Sequence, residues 1–176
     1  MRIIGGKHRG RKLKTFDGAD IRPTSDRARE ALFNIFQNEI AGSDFYDGFC
    51  GSGAVGIEAL SRGANVVMTD VSEKSVALTK ENLAMIKERA TVIKSDCPSF
   101  LLETQMKFDF IFLDPPYVSG DGEKALSIID ERGLIKKGGF VILEKDKPIE
   151  NEYDNLFFVS SRKYGKAYFS IYGGKK

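Results

Sequence analysis

Four times along this chain an apolar, β-favouring stretch runs into an aspartate: Phe45-Tyr46-Asp47, Asn65-Val66-Val67-Met68-Thr69-Asp70, Ala90-Thr91-Val92-Ile93-Lys94-Ser95-Asp96 and Phe110-Ile111-Phe112-Leu113-Asp114. Helical spacing of apolar residues fills the gaps, with Ile57 and Leu60 in one segment and Val76, Leu78, Leu83, Met85 and Ile86 in the next. Strands alternating with helices predict an open α/β sheet, covered on both faces and joined by right-handed crossovers. Ligands of such sheets bind beyond the carboxyl ends of the strands. Asp47, Asp70, Asp96 and Asp114 are therefore expected along one edge, and that convergence argues for a site more strongly than any one of them. A fifth strand is predicted over Phe140-Val141-Ile142-Leu143-Glu144 after a helix from Gly122 to Glu131. Two more, Leu156–Ser161 and Lys166–Tyr172, are joined through Lys163-Tyr164-Gly165 as a hairpin.

The last of the four acids stands in the stretch Asp114-Pro115-Pro116-Tyr117. Proline donates no ladder hydrogen bond, so the strand must end there and the backbone after the acid is stiff. Tyr117 follows with a flat face on which a planar ring can stack. An acid and an aromatic plate on a rigid turn suit a nucleobase; an ordinary turn uses the same residue types.

Phe45 to Gly56 reads as a strand, a glycine-rich turn and the start of a helix. Gly51-x-Gly53-x-x-Gly56, with Asp70 ending the next strand, formally satisfies a dinucleotide-binding fingerprint. Asp47 argues against that use, because a carboxylate ahead of the glycines opposes a pyrophosphate. It suits instead a ligand with positive charge, such as an amino-acid ammonium or a sulfonium. Asp70 can accept two ribose hydroxyls in a fork. Asp96 is either a cap for the helix from Pro98 to Glu103 or a third ligand-facing acid.

Across 176 residues there is one histidine, His8, which removes a Ser-His relay and a histidine-built metal site. Cys50 and Cys97 match neither a disulfide framework nor a zinc pattern, so no metal is expected. No apolar run approaches the ~20 residues that span a bilayer, and a cytoplasmic protein without membrane contact is expected. The net charge of +2 hides an asymmetry: residues 1–29 carry +6 and the remainder −4. Segregation of this kind points to a polyanion at the amino end. Glycines at 5, 6 and 10 break the first residues into a small β-hairpin, whose basic side chains can neutralise phosphates. Arg22-Pro23-Thr24-Ser25-Asp26 reads as a helix start, with Pro23 setting the first turn and Thr24 or Ser25 as cap. Ala28, Leu32, Ile35 and Phe36 then line one apolar face.

The order of these motifs resembles a class I S-adenosylmethionine-dependent methyltransferase, and Asp114-Pro115-Pro116-Tyr117 is similar to the signature for methylating exocyclic amines of nucleobases. Arg2-Ile3-Ile4-Gly5-Gly6, Arg9-Gly10-Arg11-Lys12-Leu13, Arg22-Pro23-Thr24-Ser25-Asp26-Arg27, Arg29-Glu30 and Leu32-Phe33-Asn34 resemble the RsmD family, guanine-N2 methyltransferases of bacterial small-subunit (16S) ribosomal RNA. The resemblance covers nearly the whole chain. It implies a Rossmann-like, seven-stranded, mostly parallel sheet with a C-terminal antiparallel hairpin. It also implies a single domain over 1–176, with residues 1–20 as a basic hairpin extension. For S-adenosylmethionine it implies Asp47, Gly48, Gly51 and Gly53 at the methionine portion, Thr24 near the cofactor carboxylate, Asp70 with Val71 at the ribose, and Asp96 with Cys97 at the adenine. Asp114, Pro115, Pro116 and Tyr117 are implied as the catalytic set. Arg2, Lys7, Arg9, Arg11, Lys12 and Arg22 are expected on ribosomal RNA, within a small-subunit assembly particle, from a monomer. A DNA adenine-N6 methyltransferase shares the tetrapeptide but usually carries a recognition region for which this chain has no room. A nicotinamide oxidoreductase and a non-catalytic RNA-binding module are the other rival readings.

Overall fold

The structure is a computed structural model, and it describes residues 1–17 and 24–175. The expected roles of Arg22 and Pro23 lie outside the described residues. In chain order the elements are α1 (Asp26–Ile35), β1 (Asp44–Asp47), α2 (Ala54–Ser61), β2 (Asn65–Asp70), α3 (Glu73–Met85), β3 (Thr91–Lys94), α4 (Cys97–Glu103), β4 (Phe108–Leu113), α5 (Asp121–Arg132), β5 (Ile135–Lys145), β6 (Leu156–Tyr164) and β7 (Ala167–Gly174). One seven-stranded sheet runs in the order β3-β2-β1-β4-β5-β7-β6. The first five strands are parallel, and β7 pairs antiparallel with both β5 and β6. The seven-stranded, mostly parallel sheet with its antiparallel hairpin is thus as expected. The order reverses between β1 and β4, where open α/β sheets gather ligands.

Alternation along the strands sorts two apolar layers. Phe45, Phe110, Phe112 and Ile142 face α1, α2 and α3 with Leu32, Phe33, Val55, Ile57 and Leu83. Tyr46, Ile111, Leu113 and Leu143 face α4 and α5 with Leu101, Leu126 and Ile129. This parity matters for the site: Asp47, Asp114 and Glu144 each stand two positions beyond Phe45, Phe112 and Ile142. All three acids therefore belong to the α1 side of the sheet.

Element ends depart from the expected ones where local chemistry intervenes. β3 stops at Lys94 because Asp96 leaves the ladder to cap α4, its side chain accepting the Ser99 N–H at 2.9 Å. α3 ends at Met85, with Ile86 as its C-cap and Lys87 following at φ +59. α1 begins where expected, with Ser25 as the cap: its hydroxyl accepts the Ala28 N–H.

The N-terminal segment forms the expected hairpin turn in reduced form. One bridge joins Arg2 to Lys12, supported by the Ile3 N–H to Arg11 carbonyl bond at 2.9 Å. It is bolted to the sheet domain by Glu58, fully buried on α2. That carboxylate accepts the Ile4 N–H at 2.9 Å, the Gly5 N–H at 2.8 Å and Arg62 Nε at 2.9 Å. Arg29, also fully buried, lies 3.5 Å from the same carboxylate and donates to the Arg2 carbonyl at 2.8 Å. Gly6, at φ +78, lies so close to α2 that a Cβ would sit 1.9 Å from the Ser61 carbonyl oxygen. A side chain cannot fit there.

Candidate active site

Parallel pairing brings the acids to one edge. β1 ends at Asp47, β2 at Asp70, and the residue after β4 is Asp114. Asp47 is buried; its Oδ2 accepts the Gly56 N–H at 3.0 Å, while its Oδ1 has no hydrogen-bond partner among the described residues. Burial lifts its carboxyl to about 7, opposed by the Gly56 N–H and reinforced by the charge of Asp70. A buried acceptor without a partner costs free energy unless something donates to it.

The glycine turn lies directly above. Gly51, at φ +54, donates its N–H to Asp70 Oδ2 at 2.9 Å, and a Cβ there would meet nothing within 4 Å. Its glycine is thus required by conformation, and the space over it is open. Gly53 at φ +83 is the N-cap of α2, and Gly48 is small because Cys97 Sγ would lie 2.7 Å from a Cβ. Asp70 uses its second oxygen to accept the Ser72 N–H at 2.8 Å, so it clamps the turn and α3's start together. Each oxygen keeps a lone pair for a further donor. Val71, beside it, is well exposed. Asp96 is exposed, and its bonds with Ser99 hold its carboxyl below the usual range. Cys97 is buried, with its thiol pushed up to about 12 by burial, and is no nucleophile.

Asp114 is pushed well above the ordinary carboxylate range. Burial is the main cause, then the neighbouring charges of Glu144 and Asp47, with the Thr24 hydroxyl acting the other way. Pro115 is buried and packs on the start of α5: a Cβ at Gly122 would lie 3.0 Å from its ring. The Pro116 carbonyl accepts both the N–H and the hydroxyl of Ser119 at 3.0 Å, closing the turn. Tyr117 is 42% exposed on its rim. Thr24, expected near the cofactor carboxylate, is buried and donates its hydroxyl to Glu144 Oε2 at 2.9 Å, on the Asp114 side of the site. Glu144 itself was missed as a site residue. The signal was present, since the fifth strand carries an acid near its end just as the others do.

Of the basic set, Arg2, Lys7, Arg9, Arg11 and Lys12 are exposed. Lys7 pairs with Glu88 at 2.8 Å and Arg11 donates to the Met85 carbonyl at 3.1 Å, so these two also fasten the hairpin near the end of α3. A shallow cleft bounded by Lys7, Asn65, Glu88 and Thr91 lies at the amino ends of β2 and β3, away from the acids at the carboxyl ends of the strands. Among the described residues no cluster suits a metal ion, and no helix is long and apolar enough to cross a membrane.

A five-strand parallel body with β7 inserted antiparallel beside β5, and acids at the ligand-facing ends of β1, β2 and β4, defines a class I methyltransferase fold. Residues 1–173 match the family described as "Conserved hypothetical protein 95". The chain belongs to this family, the RsmD family. It is 41% identical to "Ribosomal RNA small subunit methyltransferase D" of Haemophilus influenzae, over 85% of this chain and 81% of that one. To the protein of the same name in Escherichia coli K12 it is 38% identical, over 86% and 76%. Among solved structures, Escherichia coli yhhF superposes with a TM-score of 0.87 at 32% identity, covering 99% of this chain and 98% of that one.

Proposed function

We infer that the chain is an S-adenosylmethionine-dependent rRNA methyltransferase, and we propose that its target is the exocyclic N2 amine of a guanine in small-subunit (16S) RNA. The observation that carries the reading is the rigid Asp114-Pro115-Pro116-Tyr117 turn beside a buried Asp47 oxygen that has no partner among the described residues, in a chain whose relatives are named rRNA methyltransferases. A fold neighbour at 21% identity, the Thermus thermophilus 16S rRNA N2 G1207 methyltransferase, is titled as a complex with AdoMet and guanosine.

S-adenosylmethionine, when bound, supplies a methyl group already activated on a sulfonium. The residues fit it: Asp47 Oδ1 needs a donor, as an ammonium provides, and the open space over Gly51 admits the chain that follows. Asp47, Gly48, Gly51 and Gly53 hold the methionine portion, Asp70 with Val71 the ribose, and Asp96 with Cys97 the adenine. Asp114 accepts a hydrogen bond from the target amine, aided by the Pro115 carbonyl, and turns the nitrogen lone pair toward the methyl carbon. The amine is a poor nucleophile, so stabilising the charge that grows on it is the main catalytic task. Asp114 would also be the nearest acceptor for the surplus amine proton. Pro116 stiffens the turn, and Tyr117 stacks on the extruded base, offsetting part of the few kcal/mol of unstacking. Arg2, Lys7, Arg9, Arg11 and Lys12 contact phosphates from the hairpin side of a single domain on a small-subunit particle, and Arg22, outside the described residues, is proposed as a further phosphate contact.

The test is to methylate small subunits from cells lacking the protein and map the product by mass. One added methyl on the N2 of a single 16S guanine is expected; methyl on an adenine, or on DNA alone, overturns the target.

A further inference from the structure

Charge is segregated at the carboxyl end of the chain as well as at the amino end. Residues 155–176 carry five basic side chains and no acid, so the −4 of residues 30–176 splits into −9 over 30–154 and +5 over 155–176. Three of these cations, Arg162, Lys163 and Lys166, are exposed and crowd the tip of the β6–β7 hairpin. The tip is tightly built: Tyr164 and Ala167 are register partners, and Gly165, at φ +61, opens the two-residue loop between them. The Tyr164 ring packs on Phe169 at 5.2 Å between centroids, and the Lys163 ammonium lies 5.5 Å from the centre of the Tyr168 ring. Among the described residues none of the three cations takes part in an ion pair. Lys145 and Lys94, at the carboxyl ends of β5 and β3, are by contrast paired with Glu123 at 2.9 Å and Glu73 at 3.7 Å.

β7 runs antiparallel to β5, so this tip comes up at the same sheet edge as the acids. Leu113 pairs with Leu143, Glu144 with Phe169, and Phe169 with Arg162. Arg162 thus stands two strands from Glu144 and three from Asp114, about 10 and 14 Å away at a spacing of about 4.8 Å. That is too far for an ion pair, but within the few nucleotides that a small protein grips on a single strand. Arg162 is on the face of Phe169 and Lys163 on that of Tyr168, so the tip is basic on both sides. Edge strands often carry charge to prevent strand-to-strand association. That use does not explain this placement, because the exposed apolar part of β6, Phe157 to Val159, contains no charge and the cations gather at the other end.

We propose that the β6–β7 tip is a second RNA-binding element, in which Arg162, Lys163 and Lys166 take backbone phosphates of the strand that flanks the extruded base. This rests on the reading of Asp114 as the place where that base is received. RNA approaching the acids meets the negative charge of the residues around them, and phosphates seated on the tip offset that repulsion. Such contacts position the strand without reading its sequence. A tip already fixed by strand pairing and by its rings loses little freedom on binding.

The probe is the small subunit from cells lacking the protein, with binding measured across about a fourfold range of salt at constant magnesium. The triple variant R162Q/K163Q/K166Q should lower the slope of log affinity against log salt by about 2–3. The affinity lost across that range should then be smaller than the native loss by roughly 20- to 40-fold. K107Q/K137Q, which removes two exposed charges near the amino ends of β4 and β5, should leave the slope as it is. A native slope in the triple variant, or an equal fall per charge in both variants, overturns the proposal. Position is read separately from K166C carrying a photoreactive group, since Cys50 and Cys97 are buried. Its cross-link is expected on 16S RNA within a few nucleotides of the methylated base; a cross-link to ribosomal protein alone, or to distant RNA, overturns the proposal. If D114N still transfers methyl groups, the reading of Asp114 fails instead, and the slopes still decide the tip.

Discussion

Charge is buried in two regions of this molecule, and the two handle it in opposite ways. Under the N-terminal hairpin, Glu58 meets four donors and Arg29 has partners for both of its Nη atoms; only Arg29 Nε stays without one. At the carboxyl edge of the sheet, Asp47, Asp114 and Glu144 share one face without a cation among the described residues, and one Asp47 oxygen has no partner there. The first region uses opposite charges to fix how the chain folds back. The second keeps like charges together, an arrangement that stability alone does not favour and that a cationic ligand relieves.

Breaking the paired region should have the largest effect on stability. Glu58→Ala leaves the buried Arg29 with only the half-exposed carboxylate of Asp26 and frees the backbone of Ile4 and Gly5. A loss of about 3–5 kcal/mol is expected, read from denaturant midpoints. A loss within the ~0–1 kcal/mol of an exposed pair would remove the contrast.

The unpaired region should respond to pH. The Asp47 carboxyl is raised to about 7 in the folded protein from 3.8. The folded state therefore binds the proton more tightly than the unfolded chain does, so this group's contribution is fully present below about pH 4 and is lost as pH rises through 7. Asp114 and Glu144 are raised as well and add in the same direction. Asp47→Asn should flatten the fall in cofactor-free stability between pH 5 and 9, with a difference on the order of 3 kcal/mol at the alkaline end. Denaturation across pH checks this; a variant whose profile parallels the native one would mean that Asp47 is ordinary.

The smallest effect lies outside both regions, on the exposed face of the hairpin. Reversing Arg9 and Lys12 to Glu should weaken RNA affinity and lower the slope of log affinity against log salt by about one for each phosphate no longer neutralised. The hairpin's seat on Glu58 should stay intact. An unchanged slope would take the RNA away from this face.

The sequence made these regions unequally legible. Acids at successive strand ends follow from a period-two pattern closing on a polar residue, and Asp47, Asp70 and Asp114 stand where that pattern put them. Asp96 left its strand because capping α4 uses the same side chain, a competition that spacing alone does not decide. The Arg29–Glu58 anchor could not be read, because two charged residues on helices look like solvated faces until the hairpin closes over them. Glu144 was hidden differently: its strand was found, but only the ladder register with Leu113 brings it to Asp114.

The central claim is that Asp114 works on the target amine and does not hold the cofactor. Single-turnover methyl transfer to small subunits by D114N, with calorimetry of S-adenosylhomocysteine on the same preparation, tests it directly. Transfer should fall by at least about 100-fold while S-adenosylhomocysteine affinity stays within about threefold of native, under ~1 kcal/mol. Undiminished transfer, or loss of both together, would contradict it.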